Sequence, residues 1–305
     1  MAACRLLSPG DAPACASQLT NTTDTMRHIA LAIATIAALG AADYEASYLY
    51  STPTEQDPGN EIDAHEAAAK GTWKLTGLAT DGYELSLGLS GQVNAWTFDE
   101  RRLEDVELYK LMVPVTLTTM ATQRLAVTAS LSPGMHSDMK NVSSEDFRLE
   151  GMVMGTWIQN PQLRFILGVG YSDDFGSPRP YPIAGASWQA TEALKLDLIF
   201  PAFAASYVAT PAVSLLASVA PSGGQWRWTY AATDGREIEV DAALKGYRGG
   251  VGVGWMVVPQ GQLKILGGLE TGREIELKLA EDPGTSASLD LTDAIFGQLS
   301  FSYSH

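Results

Sequence analysis

The sequence predicts an all-β chain, an antiparallel up-and-down transmembrane β-barrel of about 12 strands, with counts between about 10 and 14 defensible. Three observations predict it. A short export-type leader precedes the body of the chain, the body alternates apolar and polar residues with a period of two, and its connections alternate between short and long.

The leader runs from Met26 to Ala42. A basic start, Met26-Arg27-His28, is followed by an apolar run of 11 residues, Ile29 to Leu39, and then by Gly40-Ala41-Ala42. Small residues at the third and first positions before Asp43 form a signal-peptidase site. The apolar run is too short for a bilayer core of about 30 Å, which takes about 20 helical residues. A buried helix of a soluble domain is the bland alternative, and the order of the three parts speaks against it. Residues 1–25 resemble neither a leader nor a folded element, as expected upstream of a mis-assigned start codon. The expected organisation is therefore 1–25 unstructured, 26–42 signal peptide and 43–305 a single barrel domain. The expected location is the outer membrane of a Gram-negative-type bacterium.

Beyond Asp43 the alternation begins in earnest. From Tyr83 to Thr97 the odd positions carry Tyr83, Leu85, Leu87, Leu89, Val93 and Ala95, while the even ones carry Glu84, Ser86, Gly88, Ser90, Gln92 and Asn94. In a strand those two sets point to opposite faces. The same pattern recurs at Leu111–Leu117, Leu125–Leu131, Leu163–Tyr171, Val251–Val257 and Ile295–Tyr303. Runs of this length suit tilted strands that cross a bilayer in about 9–11 residues. Pro201 and Pro221 blur two boundaries.

Short turns fall at 121–123, 160–161, 191–193 and 259–261, and longer polar loops at 98–107, 133–146, 172–181, 231–237 and 281–292. Outer-membrane barrels show this asymmetry, with short periplasmic turns and longer outer loops. Aromatic residues gather near the predicted strand ends: Trp96 and Phe98, Trp157, Tyr171, Trp188, Trp226 and Trp228, Phe301 and Tyr303. Such rings settle at the headgroup level of a bilayer. Core packing in a soluble β-sandwich is the competing account of these rings and of the alternation.

Composition narrows the function. Hydrophobic residues make up 46% of the chain and charged residues 18%, which is too apolar for disorder. The net charge of −15 lies wholly in residues 43–305, because Arg5 and Arg27 balance Asp11 and Asp24 upstream. Nucleic acid is excluded as a partner, since its phosphates would be repelled. Cys4 and Cys15 both precede the leader, so the exported chain has no thiol nucleophile, Cys-ligated metal or disulfide. His28, His65, His136 and His305 show no paired ligand spacing, and no metal or other cofactor is expected.

Eight charged residues are candidates for the barrel interior: Glu84, Lys110, Arg124, Arg164, Lys195, Asp197, Lys264 and Glu270. Lys195 and Asp197 share a strand face and are expected to bridge each other. Mixed signs favour a salt-bridged lumen over a selective ring of one charge. The run Gly249–Gly254 lacks the G-x-G-x-x-G spacing and a following helix, so it reads as a closely packed wall and not a phosphate loop. Ser132, His136 and Asp138 hold the three residue types of a hydrolase triad in one hairpin loop. They bring no identifiable oxyanion donors and read as a hydrogen-bonded turn.

Taken in order, Ser132-Pro133-Gly134-Met135-His136-Ser137-Asp138, Leu167-Gly168-Val169-Gly170-Tyr171, Pro182–Trp188, Leu198–Pro201 with Tyr207, and Gly272-Arg273-Glu274 resemble a family of outer-membrane β-barrels, domain of unknown function 6268. The likeness spans roughly residues 66–303. It implies fold and location and brings no activity or functional residues.

The expected role is a non-enzymatic outer-membrane barrel, a small passive pore or a structural wall protein with a narrow lumen. Its expected partners are outer-membrane lipid and the barrel-assembly machinery, with small solutes or ions as candidate cargo. A soluble periplasmic or secreted ligand-binding β-sandwich and a barrel hydrolase are the alternatives.

Overall fold

The structure, a computed structural model, describes residues 43–55, 61–74, 82–98, 105–231, 237–279 and 286–304. The leader and residues 1–25 lie outside the described residues. Among the described residues seventeen strand segments follow one another: β1 (Asp43–Glu55), β2 (Glu61–Lys74), β3 (Tyr83–Phe98), β4 (Val106–Met112), β5 (Val115–Thr122), β6 (Leu125–Ser137), β7 (Phe147–Asn160), β8 (Leu163–Ser172), β9 (Arg179–Gln189), β10 (Leu194–Phe200), β11 (Ala202–Thr210), β12 (Val213–Pro221), β13 (Gly224–Ala231), β14 (Glu237–Val258), β15 (Gly261–Leu279), β16 (Ser286–Asp290) and β17 (Ala294–Ser304).

Three barrel strands are each interrupted once, so the 17 segments form a closed barrel of 14 strands. β4 and β5 both pair with β3 and β6 on either side of Pro114, which has no N–H to give. β12 and β13 both lie along β14, and β16 and β17 both lie along β15. Antiparallel pairing of β1 with β17, from Asp43↔Ser304 to Ser51↔Phe296, closes the ring. Closure leaves no free edge for the membrane to expose, which lipid demands of any spanning sheet. Asp43 and Ser304 lie at the same end as the β14–β15 turn, where the Ser304 N–H donates to the Gln260 carbonyl at 3.0 Å. The continuous ring overturns the sandwich alternative, which would need two separate packed sheets.

The outward face carries an aliphatic belt. Leu117, Leu131, Val153, Leu167, Leu215, Val251 and Ile265 stand on it exposed. Exposed Trp157, Trp188, Tyr207 and Trp255 ring the tight-turn end, and Tyr171, Phe200 and Tyr247 ring the other. Two aromatic girdles around an aliphatic band are the signature of a bilayer-spanning barrel. In the glycine run, Val251 and Val253 face outward while Gly252 faces inward. A Cβ at Gly252 would stand 2.2 Å from the carbonyl oxygen of Ile265, so close backbone approach is what glycine supplies here.

Wall height is uneven, and this shapes the interior. β10 and β11 have 7 and 9 residues, whereas β14 and β15 have 22 and 19. A crossing needs about 9–11 residues, so β14 and β15 rise well past the membrane. At their upper end β13 leans inward and meets β6, with Arg227 beside Ser137 in parallel register. The Asp138 N–H donates to the Arg227 carbonyl at 3.1 Å, and the Thr229 N–H donates to the Asp138 carboxylate at 2.9 Å. β6 thus joins β13 directly and leaves β7 to β12 below as a lower wall.

The narrowed upper tier has an apolar interior. Trp96, Val106, Leu108, Trp226, Trp228, Val240, Ala242, Ile275 and Leu291 form one buried cluster, with Trp96 set edge-on to Trp226 at 6.1 Å. Each large side chain so buried contributes about 1.5–3 kcal/mol. Trp96, Trp226 and Trp228 are therefore cap residues and not members of the membrane girdles, a correction to the expectation from their place near strand ends. Further corrections concern the loops. The segment expected as a loop at 133–146 continues β6 through Ser137, and β16 lies inside the segment 281–292.

Candidate functional site

Below the apolar cap the lumen is polar, and two networks of charge cross it. Strand β4 presents Lys110, whose Nζ lies 2.7 Å from Glu150 Oε1 on β7 and 3.0 Å from Asp173 Oδ1 in the β8–β9 connection. On the adjoining strand β6, His136 is fully buried. Its Nδ1 lies 2.8 Å from Asp173 Oδ2, and its Nε2 lies 3.1 Å from Met112 Sδ. The backbone N–H of Gln225 on β13 donates to the same Asp173 oxygen at 3.2 Å. Burial works against ionisation of Asp173, but the His136 hydrogen bond and the Lys110 charge hold its carboxyl well below the usual carboxylate range.

The second network sits on the opposite wall. Arg248 of β14 reaches Glu66 of β2 at 3.0 Å and Glu270 of β15 at 2.7 Å. Ser51 Oγ donates to Glu270 at 2.9 Å, Arg273 Nε lies 3.5 Å from that carboxylate, and the Arg248 guanidinium stands 5.6 Å above the Phe296 ring. Buried charges persist only when paired, and each charge of both networks has a partner of opposite sign, although Arg273 Nη1 is buried without a hydrogen bond.

Of the residues expected inside, Lys110 and Glu270 anchor these two networks. Glu84, Arg164, Lys195, Asp197 and Lys264 occupy inward register positions nearer the tight-turn end. Lys195 and Asp197 bridge at 2.8 Å, with Ser187 donating to Asp197 at 2.6 Å. Arg124 is the departure: it lies in the β5–β6 turn, exposed, and not on a strand face. Sequence reasoning missed Glu66, Glu150 and Arg248, although extending the alternation upward along their strands would have found them. Asp173 carries no periodic signal, because it lies beyond the end of β8.

Chemistry of other kinds is poorly served here. Ligand atoms of His136, Glu150 and Asp173 lie within 4.8 Å of one another, as in a metal site. The Lys110 ammonium already stands between the two carboxylates, so a divalent ion would have to displace it. Within the hydrolase grouping, Asp138 ties β6 to β13 through the Thr229 N–H and accepts the Lys140 N–H at 3.1 Å. The His136 nitrogen that would serve as base faces a methionine sulfur instead of a hydroxyl.

Polar cavities remain among the described residues of the lumen. One of about 300 Å³ is lined by Glu45, Lys70, Gln92 and Lys110, and one of about 130 Å³ by Ser130, Ser132, Glu150 and Tyr181. Outside the barrel an apolar groove of about 500 Å³ runs between Leu198, Phe203, Val219 and Leu269 over Gly249 and Gly267, within the aliphatic belt.

Comparison with known families matches residues 92–278 to the one described as Domain of unknown function (DUF6268). A comparison with curated proteins returns no match. Among solved structures the chain is similar to the NanC porin at 10% identity and a TM-score of 0.36, covering 86% of this chain and 99% of that one. The toluene transporter TodX of Pseudomonas putida matches at 10% identity and 0.34, covering 87% and 90%. The outer membrane phospholipase A of Escherichia coli matches at 8% and 0.36, covering 86% and 92%. At such values none of these likenesses carries a role over to this chain.

Proposed function

Because the chain belongs to the family described as Domain of unknown function (DUF6268), which names no activity, we propose its role from the barrel's own geometry. It is a non-enzymatic barrel of the bacterial outer membrane, a wall protein or a passive pore of small conductance at most. Residues 26–42 direct its export, the termini and tight turns face the periplasm, and the tall β13–β15 tier faces outward. Barrel-assembly machinery inserts it, and lipid covers its belt.

One observation carries the reading. The junction of β6 with β13 sets an apolar core across the loop-end mouth, so the polar lumen below ends against packed tryptophan and leucine. Barrels of this strand number stand between side-chain-filled ones of 8 strands and open porins of about 16–18. Here two ion-pair networks further reduce the cross-section. Purified protein in planar bilayers tests the reading: at rest it gives small currents or none, and large, stable, porin-like steps would overturn it.

A further inference from the structure

The β8–β9 connection, residues 173–178, closes the seam between the lower wall and the overhanging β13. Its contacts divide by chemistry. Phe175, which is buried, packs on its own hairpin, 5.3 Å from the Tyr181 ring and beneath the Arg179 guanidinium at 4.5 Å. Across the seam the hydrogen bonds and ion pairs converge on two adjacent residues. Asp173 holds His136, Lys110 and the Gln225 N–H, and the Asp174 carbonyl accepts the Gly223 N–H at 3.0 Å. Gly176 turns the connection at φ +86°, a left-handed conformation that glycine adopts freely.

We propose that this connection is a latch: Asp173 pins it under the cap, and its release opens the polar lumen laterally, beneath β13, to the loop side of the membrane. The inference rests on the closed-mouth reading above and supplies the regulation that reading lacks. The arrangement suits a movable part. When the Asp173 contacts break, the Phe175 ring keeps its contacts with Tyr181 and Arg179 on its own hairpin. The cap above stays packed, since its buried cluster takes no side chain from this connection. Small polar solutes would pass from the cavity beside Glu150 and Tyr181, which Asp174 also lines, through the seam thus cleared.

Asp173→Ala and Lys110→Met, each purified as a folded, heat-modifiable barrel, are compared with the wild type in planar bilayers. Each variant is expected to raise conductance several-fold. Folded variants with currents as small as the wild type's would overturn the latch. Where neither variant folds, hydrogen exchange on the wild type decides. The amides of Gly176 and Gly223 are expected to exchange well before that of Gly88, which donates to Pro114 within the wall at 2.7 Å. Equal protection would mean a permanent plug and overturn the proposal. Porin-like currents from the wild type would instead defeat the closed-mouth reading itself.

Discussion

At the scale of single residues, the interior sorts its polar groups by what each can pair with. Asp173 draws together the imidazole of His136, the ammonium of Lys110 and a backbone N–H, each from a different strand. A lone carboxylate in that place would cost several kcal/mol, and only the full set makes its burial tolerable. Glycine decides a different matter. Gly252 has no room for a β-carbon, since the facing Ile265 carbonyl is backbone and cannot turn aside. Gly252→Val should therefore prevent closure of β14 on β15. The expected outcome is loss of the compact, heat-modifiable species on electrophoresis, and wild-type migration would refute the close-packing account. The preceding inward glycine, Gly250, is hemmed in from two sides, since a Cβ there would stand 2.8 Å from the Phe296 ring and 2.9 Å from the Gly267 carbonyl oxygen.

Among the elements, β13 has the largest consequence. It is short, with 8 residues, and its inward face is Trp226 and Trp228. Its outward Arg227 is paired with Glu145, with Glu239 at 3.3 Å and with Asp241 at 3.4 Å. An amphipathic strand of that kind can seat itself on a neighbouring sheet, and it does so on β6. Trp226→Ala removes a fully buried side chain and should cost about 3–5 kcal/mol. Because the cap stands above the aliphatic belt, the loss should appear as an early, separate transition in urea, with barrel unfolding little changed. A single unshifted transition would show that the cap contributes nothing of its own.

For the whole molecule, an even number of strands returns Asp43 and Ser304 to one side, which they share with the tight turns at 123–124, 161–162, 211–212 and 259–260. Cysteine placed at Val142, 55% exposed on the loop side, should be labelled on intact cells by an impermeant thiol reagent. Cysteine at the exposed Gln260 turn should not. The reverse pattern would invert the topology. Ser137, which the sequence places in the same loop, is unsuitable because only 1% of its surface is exposed beneath β13.

The sequence by itself determined the barrel, because a period of two and a bilayer's thickness are local constraints written along each strand. Leu163–Tyr171 and Ile295–Tyr303 declare their lipid faces without reference to any neighbour. It also determined that Lys195 bridges Asp197, two residues apart on one face. What only the tertiary structure decided depends on strands far apart in the chain. Alternation tells which way Trp96, Trp226 and Trp228 point but not at what height they stand, and height separates a membrane girdle from a cap core. Asp173 lies in a connection with no periodicity, so nothing nearby in sequence announces that His136, Lys110 and Gln225 converge on it. The β6–β13 contact joins segments about 90 residues apart, Ser137 and Arg227, and exists only because closure of the ring brings them to the same rim. Local pattern specifies a wall. Whether that wall encloses an open path is settled by which parts of the wall lean across it.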